Sequence, residues 1–85
     1  MLTIDDFRVE LANQLKAAQS KNAVFVDVNS AELHRALGNY PDPSNHRMPT
    51  CCEAMYAAMA ADDIVLRRPP KGKGASLTIR YKLPR

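Results

Sequence analysis

Residues 47–61 read RMPTCCEAMYAAMAA, and this stretch decides the fold because it is the best helix candidate in the C-terminal half. Pro49 suits the first position of a helix, where its missing N–H would have no partner in any case. Alternatively, Thr50 is the N-cap, with Glu53 at the capping-box distance of three residues. Apolar side chains and alanines then recur at helical spacing. We predict a helix that begins at 49 or 50 and ends at Ala61.

The net charge of +3 conceals a strong asymmetry along the chain. Residues 1–64 hold five Lys or Arg and all nine acidic residues, whereas residues 65–85 hold seven Lys or Arg and no acid. A basic end on an otherwise acidic domain concentrates positive potential, which is typical of proteins that bind polyanions. A solvated basic tail is the alternative, but the charges interleave with a strand pattern rather than with a disordered composition.

Length and composition indicate one ordinary globular domain over residues 1–85. A hydrophobic fraction of 46% and a charged fraction of 25% fit this class. No apolar run approaches the ~18–20 residues that cross a bilayer, so no membrane association is expected. The first residues, MLTIDDFRVEL, lack the basic and apolar regions of a signal peptide, which predicts a cytoplasmic protein.

Two helices and a strand are predicted before the middle of the chain. The first helix covers about 3–20, with a threonine N-cap, aspartates in its first turn and one apolar stripe. A short strand rich in β-branched residues follows at 24–28. Asn29 opens a second capping box, which predicts a helix over 30–37 that stops at Gly38.

The C-terminal half adds a loop and two strands around the main helix. Residues 38–48, GNYPDPSNHRM, form a turn-rich loop before that helix. Strands are predicted at 64–68 and 76–83, joined by the basic, glycine-rich turn 69–74. The last strand alternates, so that four apolar side chains face one way: Leu77, Ile79, Tyr81 and Leu83. We expect an antiparallel hairpin, with strand 24–28 as a third strand.

The predicted order is helix, strand, helix, loop, helix, strand, basic turn and strand, an α+β pattern over the whole chain. This order resembles the winged-helix domains, which implies three helices packed on a small antiparallel sheet. Helix 49–61 would then be the recognition helix and residues 70–74 the wing, although loop 38–48 is longer than that pattern requires. The segments NHRMPTCCEAM (45–55) and GASLTIRYKLPR (74–85) also resemble small bacterial proteins encoded near restriction or mobile-element genes.

The winged-helix resemblance implies a non-catalytic protein that binds nucleic acid, with double-stranded DNA as its target. In this class the third helix enters the major groove, which would bring Arg47 and Thr50 to base edges, and the wing contacts the backbone. The exposed helix face is poor in cations and Glu53 would repel phosphate, so wing cations should dominate a weakly specific interaction. The predicted DNA-binding residues are Asn45, His46, Arg47, Thr50, Arg67, Lys71, Lys73, Arg80 and Lys82.

The adjacent Cys51 and Cys52, together with His34 and His46, raise the question of a metal site. Adjacent helical residues point about 100° apart and no CxxC spacing is present, so we expect buried, reduced thiols and no metal or cofactor. A cysteine nucleophile is the alternative, since a helix N-terminus lowers a thiol pKa. His46 and Asp42 would then supply the base and its orienter. Nothing in the sequence fixes that geometry, and no enzyme is predicted.

A protein-interaction module on the same fold is the rival function. A smooth face of Ala54, Ala57 and Ala61 would let a helix of a protein partner or of a second copy approach closely. Loop 38–48 would dock on that partner. Salt separates the two functions, because DNA binding weakens steeply with salt and an apolar interface does not.

Overall fold

A computed structural model describes residues 2–38 and 47–84. Within these residues, three helices lie on one side of a three-stranded antiparallel sheet. The elements in chain order are α1 (Ile4–Ser20), β1 (Phe25–Asn29), α2 (Ser30–Leu37), α3 (Met48–Ala57), β2 (Ile64–Arg67) and β3 (Thr78–Lys82). The α+β class, the order of elements and the hairpin are therefore confirmed. None of the described helices is long and apolar enough to cross a membrane.

Side-chain caps explain where the first two helices begin. At α1, the Asp6 N–H donates to the Thr3 hydroxyl (3.3 Å) and the Thr3 N–H donates to the Asp6 carboxylate (2.8 Å). This reciprocal pair is a complete capping box. At α2, the Glu32 N–H donates to the side-chain oxygen of Asn29 (3.2 Å). Both starts agree with the prediction, because a cap is an interaction between near neighbours in sequence.

The start of α3 differs by one residue from the prediction. Its first residue is Met48, so Pro49 occupies the second helical position rather than the first. Arg47 precedes the helix and makes no side-chain capping bond, and Thr50 lies inside the first turn. The predicted capping box between Thr50 and Glu53 is therefore wrong. A proline anywhere in the first turn loses no intrahelical bond, so its presence alone does not fix the starting residue.

The end of α3 is also earlier than predicted, at Ala57 rather than Ala61. A tight turn replaces the last turn of the predicted helix. The Asp63 carboxylate accepts the Ala60 N–H (2.7 Å), and the Asp63 N–H donates to the Ala60 carbonyl (3.1 Å). The same carboxylate accepts the backbone N–H of Lys82 (2.8 Å), which ties the turn to β3. Asp63 thus stabilises a turn after the helix by local bonds to Ala60 and by one tertiary bond to β3, although alanine propensity favours a longer helix.

β3 is the central strand, with β1 on one side and β2 on the other. Asp27 on β1 and Ile64 on β2 both lie opposite Arg80. A β-bulge between Val65 and Arg67 interrupts the pairing of β2 with β3. The predicted inward side chains of the last strand are all buried: Leu77, Ile79, Tyr81 and Leu83. They form the core with helical residues that include Phe7, Leu11, Leu33 and Met55.

Candidate functional site

The connection between β2 and β3, residues 68–77, is bonded to α3 and to the start of α2. The Cys52 sulfur accepts the Gly74 N–H (3.3 Å) and lies 3.4 Å from the Gly74 carbonyl, to which its thiol donates. The Ser30 hydroxyl donates to the same carbonyl (2.6 Å). The Tyr56 hydroxyl donates to the Gly72 carbonyl. These bonds hold the turn, so its cations project from a defined position.

Gly72 has the backbone conformation that this turn requires. Its φ of +83° lies in the left-handed region, where a side chain would be strained. Its N–H donates to the Pro69 carbonyl (2.9 Å), which closes the turn. Turn geometry therefore explains this glycine, and it does not by itself indicate a phosphate-binding loop.

Two of the predicted DNA-binding lysines are paired with acids of the same chain. Lys73 Nζ lies 2.8 Å from the Glu53 carboxylate of α3, and this hydrogen bond raises the pKa of Lys73. Lys82 Nζ lies 3.8 Å from the Asp62 carboxylate. Exposed pairs of this kind contribute little and exchange readily with other charges. Glu53, which was expected to repel phosphate, instead has its charge balanced by Lys73.

Arg80 is held on the outer face of the sheet by Asp27 and Phe25. Its guanidinium donates to both carboxylate oxygens of Asp27, at 2.8 and 3.1 Å. It also stacks on the Phe25 ring, 4.1 Å from the ring centroid. The hydrogen bond lowers the pKa of Asp27 and raises that of Arg80. The guanidinium is thus engaged within the protein at both its edge and its face.

Three further cations of the basic end have no ion-pair partner among the described residues. Arg67 ends β2, Arg68 follows it, and Lys71 lies in the turn; all three are exposed. The Arg68 guanidinium lies 5.8 Å from the ring centroid of Tyr56, near the outer limit of a cation–π contact. We call Arg67, Arg68 and Lys71 the basic cluster. The predicted site omitted Arg68, although its position between Arg67 and the turn is visible in the sequence.

Arg47 lies between two helices rather than on a fully exposed face. Its backbone N–H donates to Nε2 of the buried His34 (2.8 Å), and His34 Nδ1 lies 3.2 Å from the Gly38 carbonyl. Because Nε2 accepts a bond, Nδ1 carries the hydrogen and His34 is the neutral imidazole. Arg47 is half-buried, and its Nε is buried with no partner among the described residues. Arg47 is therefore only partly accessible for the base contact that the sequence predicts.

Cys51 and Cys52 of α3 are free thiols that lie buried in the protein core. Cys51 donates from its sulfur to the Ser30 carbonyl (3.4 Å). Burial raises the pKa of Cys51 to about 12 and also raises that of Cys52. The alternative of a cysteine nucleophile required a lowered thiol pKa, and burial has the opposite effect on both residues. They behave as small apolar side chains with weak hydrogen bonds.

The alanine face predicted for a protein partner is not one surface. Ala54 has no exposed area, Ala57 is exposed at the end of α3, and Ala61 lies in the turn beyond the helix. The early end of the helix removes the last residue of the predicted stripe. An open groove is present instead between α1 and α3, and it is lined by the charged Asp5 and Arg8 as well as by Val9, Leu11, Ala12, Leu15, Ala57 and Ala58.

The predicted site residues occupy three separate places. Arg47 and Thr50 are half-buried at the start of α3, and Arg80 and Lys82 lie on the outer sheet face. Arg67 ends β2, and Lys71 and Lys73 lie in the β2–β3 connection. Asn45 and His46, with most of the predicted loop, lie outside the described residues. No protein-family model, curated protein or solved structure matches this chain.

Proposed function

We propose that this chain is a winged-helix protein that binds duplex DNA without catalysis, and that the β2–β3 connection is its wing. The basic cluster carries the proposal, because its three exposed cations have no acid among the described residues to neutralise them. The order of elements and the antiparallel hairpin also support it. A wing of this class is a hairpin turn that reaches the DNA backbone beside the third helix.

The basic cluster would supply both long-range attraction and phosphate contacts. Each phosphate that a cation neutralises releases condensed counterions, which makes such binding strongly salt-dependent. The turn is bonded to Cys52 and Tyr56 of α3, so its cations lose less freedom on binding than those of a flexible tail. Lys73 would contribute less than Lys71, since phosphate has to compete with Glu53 for it.

Phosphate contacts should outweigh base reading in this protein. The exposed residues of α3 are Pro49, Glu53 and Ala57, and none of them is a cation. Arg47 and Thr50 remain the candidates for base contacts at the helix start, but both are half-buried. We therefore propose that binding depends only weakly on the DNA sequence.

Fluorescence anisotropy with a random-sequence duplex at several salt concentrations tests this function. Replacing Arg67 and Lys71 together by Ala should weaken binding to every duplex and reduce the slope of log affinity against log salt by up to about two. Replacing Lys16 and Lys21 by Ala is the matched control, because both are exposed and lie at the other end of the sequence, in and just after α1. The control should keep the wild-type slope.

Single variants sharpen the comparison between paired and unpaired lysines. Lys71→Ala should reduce the salt slope by about one, and Lys73→Ala should reduce it by less. Circular dichroism verifies that each variant is folded. Wild-type protein without salt-dependent binding at about 50 mM salt would contradict the proposal. Equal losses in the two double variants would contradict the assignment of the wing.

A further inference from the structure

β2 is an edge strand of the sheet. It pairs with β3 on one side, and no strand among the described residues pairs with its other side. A free edge presents unpaired backbone N–H and C=O groups to any strand that can approach it. Ile64 and Leu66 are also 55% and 44% exposed, whereas Val65 is half-buried. The strand thus offers backbone groups and apolar side chains together.

The sequence around β2 is complementary to its own reverse. Residues 62–68 read DDIVLRR, with two acids at one end, two arginines at the other and three apolar residues between them. When two copies pair antiparallel about Val65, Ile64 of one copy lies opposite Leu66 of the other. Because β2 spans only Ile64–Arg67, the same register brings the acidic turn that precedes β2 in one copy beside the arginine end of β2 in the other. Directly opposed residues share a face and interact, and here no pair has like charges.

We propose that two copies of this chain associate through β2 about a two-fold axis and join their sheets into one. The contact is isologous, since the same strand of each copy meets its counterpart. Charge complementarity sets the occupant of this edge, because the strand that fits DDIVLRR in antiparallel register is DDIVLRR itself. This association can form without DNA, and it places Arg68 of the basic cluster beside Asp62 of the other copy.

The charged groups at the ends of β2 differ in whether they are free to pair with a second copy. The Asp63 carboxylate already accepts the backbone N–H groups of Ala60 (2.7 Å) and Lys82 (2.8 Å), so it is engaged within each copy. Asp62 is exposed, and among the described residues its ion pair is a long contact of 3.8 Å with Lys82. Arg68 is exposed as well. The ion pair across the axis is therefore that of Asp62 with Arg68.

The other edge strand does not offer the same fit. Two copies of β1 paired about Val26 would set Phe25 opposite Asp27, an apolar ring against a carboxylate. Asp27 is also held by Arg80 within the same copy at 2.8 Å. The two edges of the sheet are thus not equivalent, and a second copy fits β2.

The β-bulge and the short strand limit the strength of this contact. The bulge lies between Val65 and Arg67, and bulges increase twist and shorten regular pairing. β2 has four residues, so the contact is smaller than the roughly 1,200–2,000 Å² buried in stable complexes. We therefore expect a weak dimer that forms reversibly as concentration rises.

Sedimentation-velocity experiments without DNA test the dimer, using variants in which the charges on the two sides of the axis are exchanged. Asp62→Arg places like charges opposite each other at both ends, and it should weaken association by about tenfold or more. Arg68→Asp should do the same. The variant with both substitutions regains opposite charges in every pair, and its association should return to within about threefold of wild type.

A second variant tests the apolar centre of the contact. Ile64→Lys should abolish association, because it places a cation on each side of the axis among apolar side chains. Val24→Lys is the matched control, since Val24 is 69% exposed and precedes the other edge strand. Circular dichroism verifies the fold of each variant. A wild type that stays monomeric at the highest concentration, a dimer unaffected by Ile64→Lys, or a double charge exchange without recovery would overturn the proposal.

Discussion

The two faces of β3 differ sharply although their residues alternate along one strand. Ile79 and Tyr81 point toward the helices and have no exposed area. Arg80 and Lys82 point outward and are bound to acids of other elements, with Arg80 held by Asp27. Alternation in the sequence thus identifies which residues are buried, but it does not show what the outward residues contact. An outward cation is most readily available to a partner where no acid of the same chain reaches it.

Truncation of a side chain on the inner face of β3 should give the largest loss of stability. Ile79→Ala removes fully buried apolar groups and leaves a cavity, which costs about 2–5 kcal/mol of unfolding free energy. Ile64→Ala is the matched control, because it is the same substitution at a position that is 55% exposed. It should change stability by less than about 0.5 kcal/mol. Urea unfolding measures both, and equal losses would contradict the contrast between the faces.

Loss of one buried hydrogen bond should give an intermediate effect. The Tyr81 hydroxyl donates to the Met55 carbonyl at 2.8 Å in the core. Tyr81→Phe removes this donor from a buried carbonyl, which costs about 1–3 kcal/mol. Tyr56→Phe is the comparison, since its bond to Gly72 is only partly buried and water can replace it. Thermal unfolding measures the stability of both variants. A Tyr81→Phe variant that is as stable as wild type would refute the importance of this bond.

Removal of the outer ion pair should give the smallest effect and a distinctive pH dependence. Arg80 holds the pKa of Asp27 below its ordinary value of 3.8, so ionised Asp27 favours the folded state. This contribution is complete above about pH 3.8 and is lost as the pH falls through the folded-state pKa. Asp27 is 37% exposed, so Asp27→Asn should cost less than about 1 kcal/mol.

Unfolding free energies of wild type and Asp27→Asn, measured from about pH 6 to about pH 2, test the sign of this dependence. The difference between the two proteins should be constant at the upper end of the range. It should shrink toward the lower end, as the carboxyl becomes protonated in the folded wild-type chain as well as in the unfolded one. A difference that does not change with pH would show that the ion pair is not its source.

Predictions of the fold succeeded where the signal is local. The caps at Thr3 and Asn29 act within three residues, and the alternation of the last strand is a property of that strand alone. The end of α3 was predicted wrongly because its cause is not local. Asp63 bonds the backbone of Lys82, which lies 19 positions away. The alanines beyond Ala57 have high helix propensity, and a tertiary contact overrides it.

The candidate site was predicted less completely, because the availability of a cation depends on acids far away in sequence. Arg80 and Asp27 are separated by 53 positions, and Lys73 and Glu53 by 20. These pairs follow from the strand register and from the position of the connection on α3. Neither ion pair can be predicted from the spacing of charges along the chain. The predicted site included Arg67, Lys71 and Lys73 alike. The sequence did not show that Lys73 is paired with an acid, whereas Arg67 and Lys71 have no acid partner among the described residues.

One imidazole joins the ends of α2 and α3. His34 lies 3.2 Å from the Gly38 carbonyl and accepts the Arg47 N–H at 2.8 Å. The chain positions on either side of residues 39–46 are therefore set by α2 rather than by the intervening sequence. His34 therefore works as a buried crosslink between two helix ends, because a single side chain holds both of them. One substitution at this position would release both ends together.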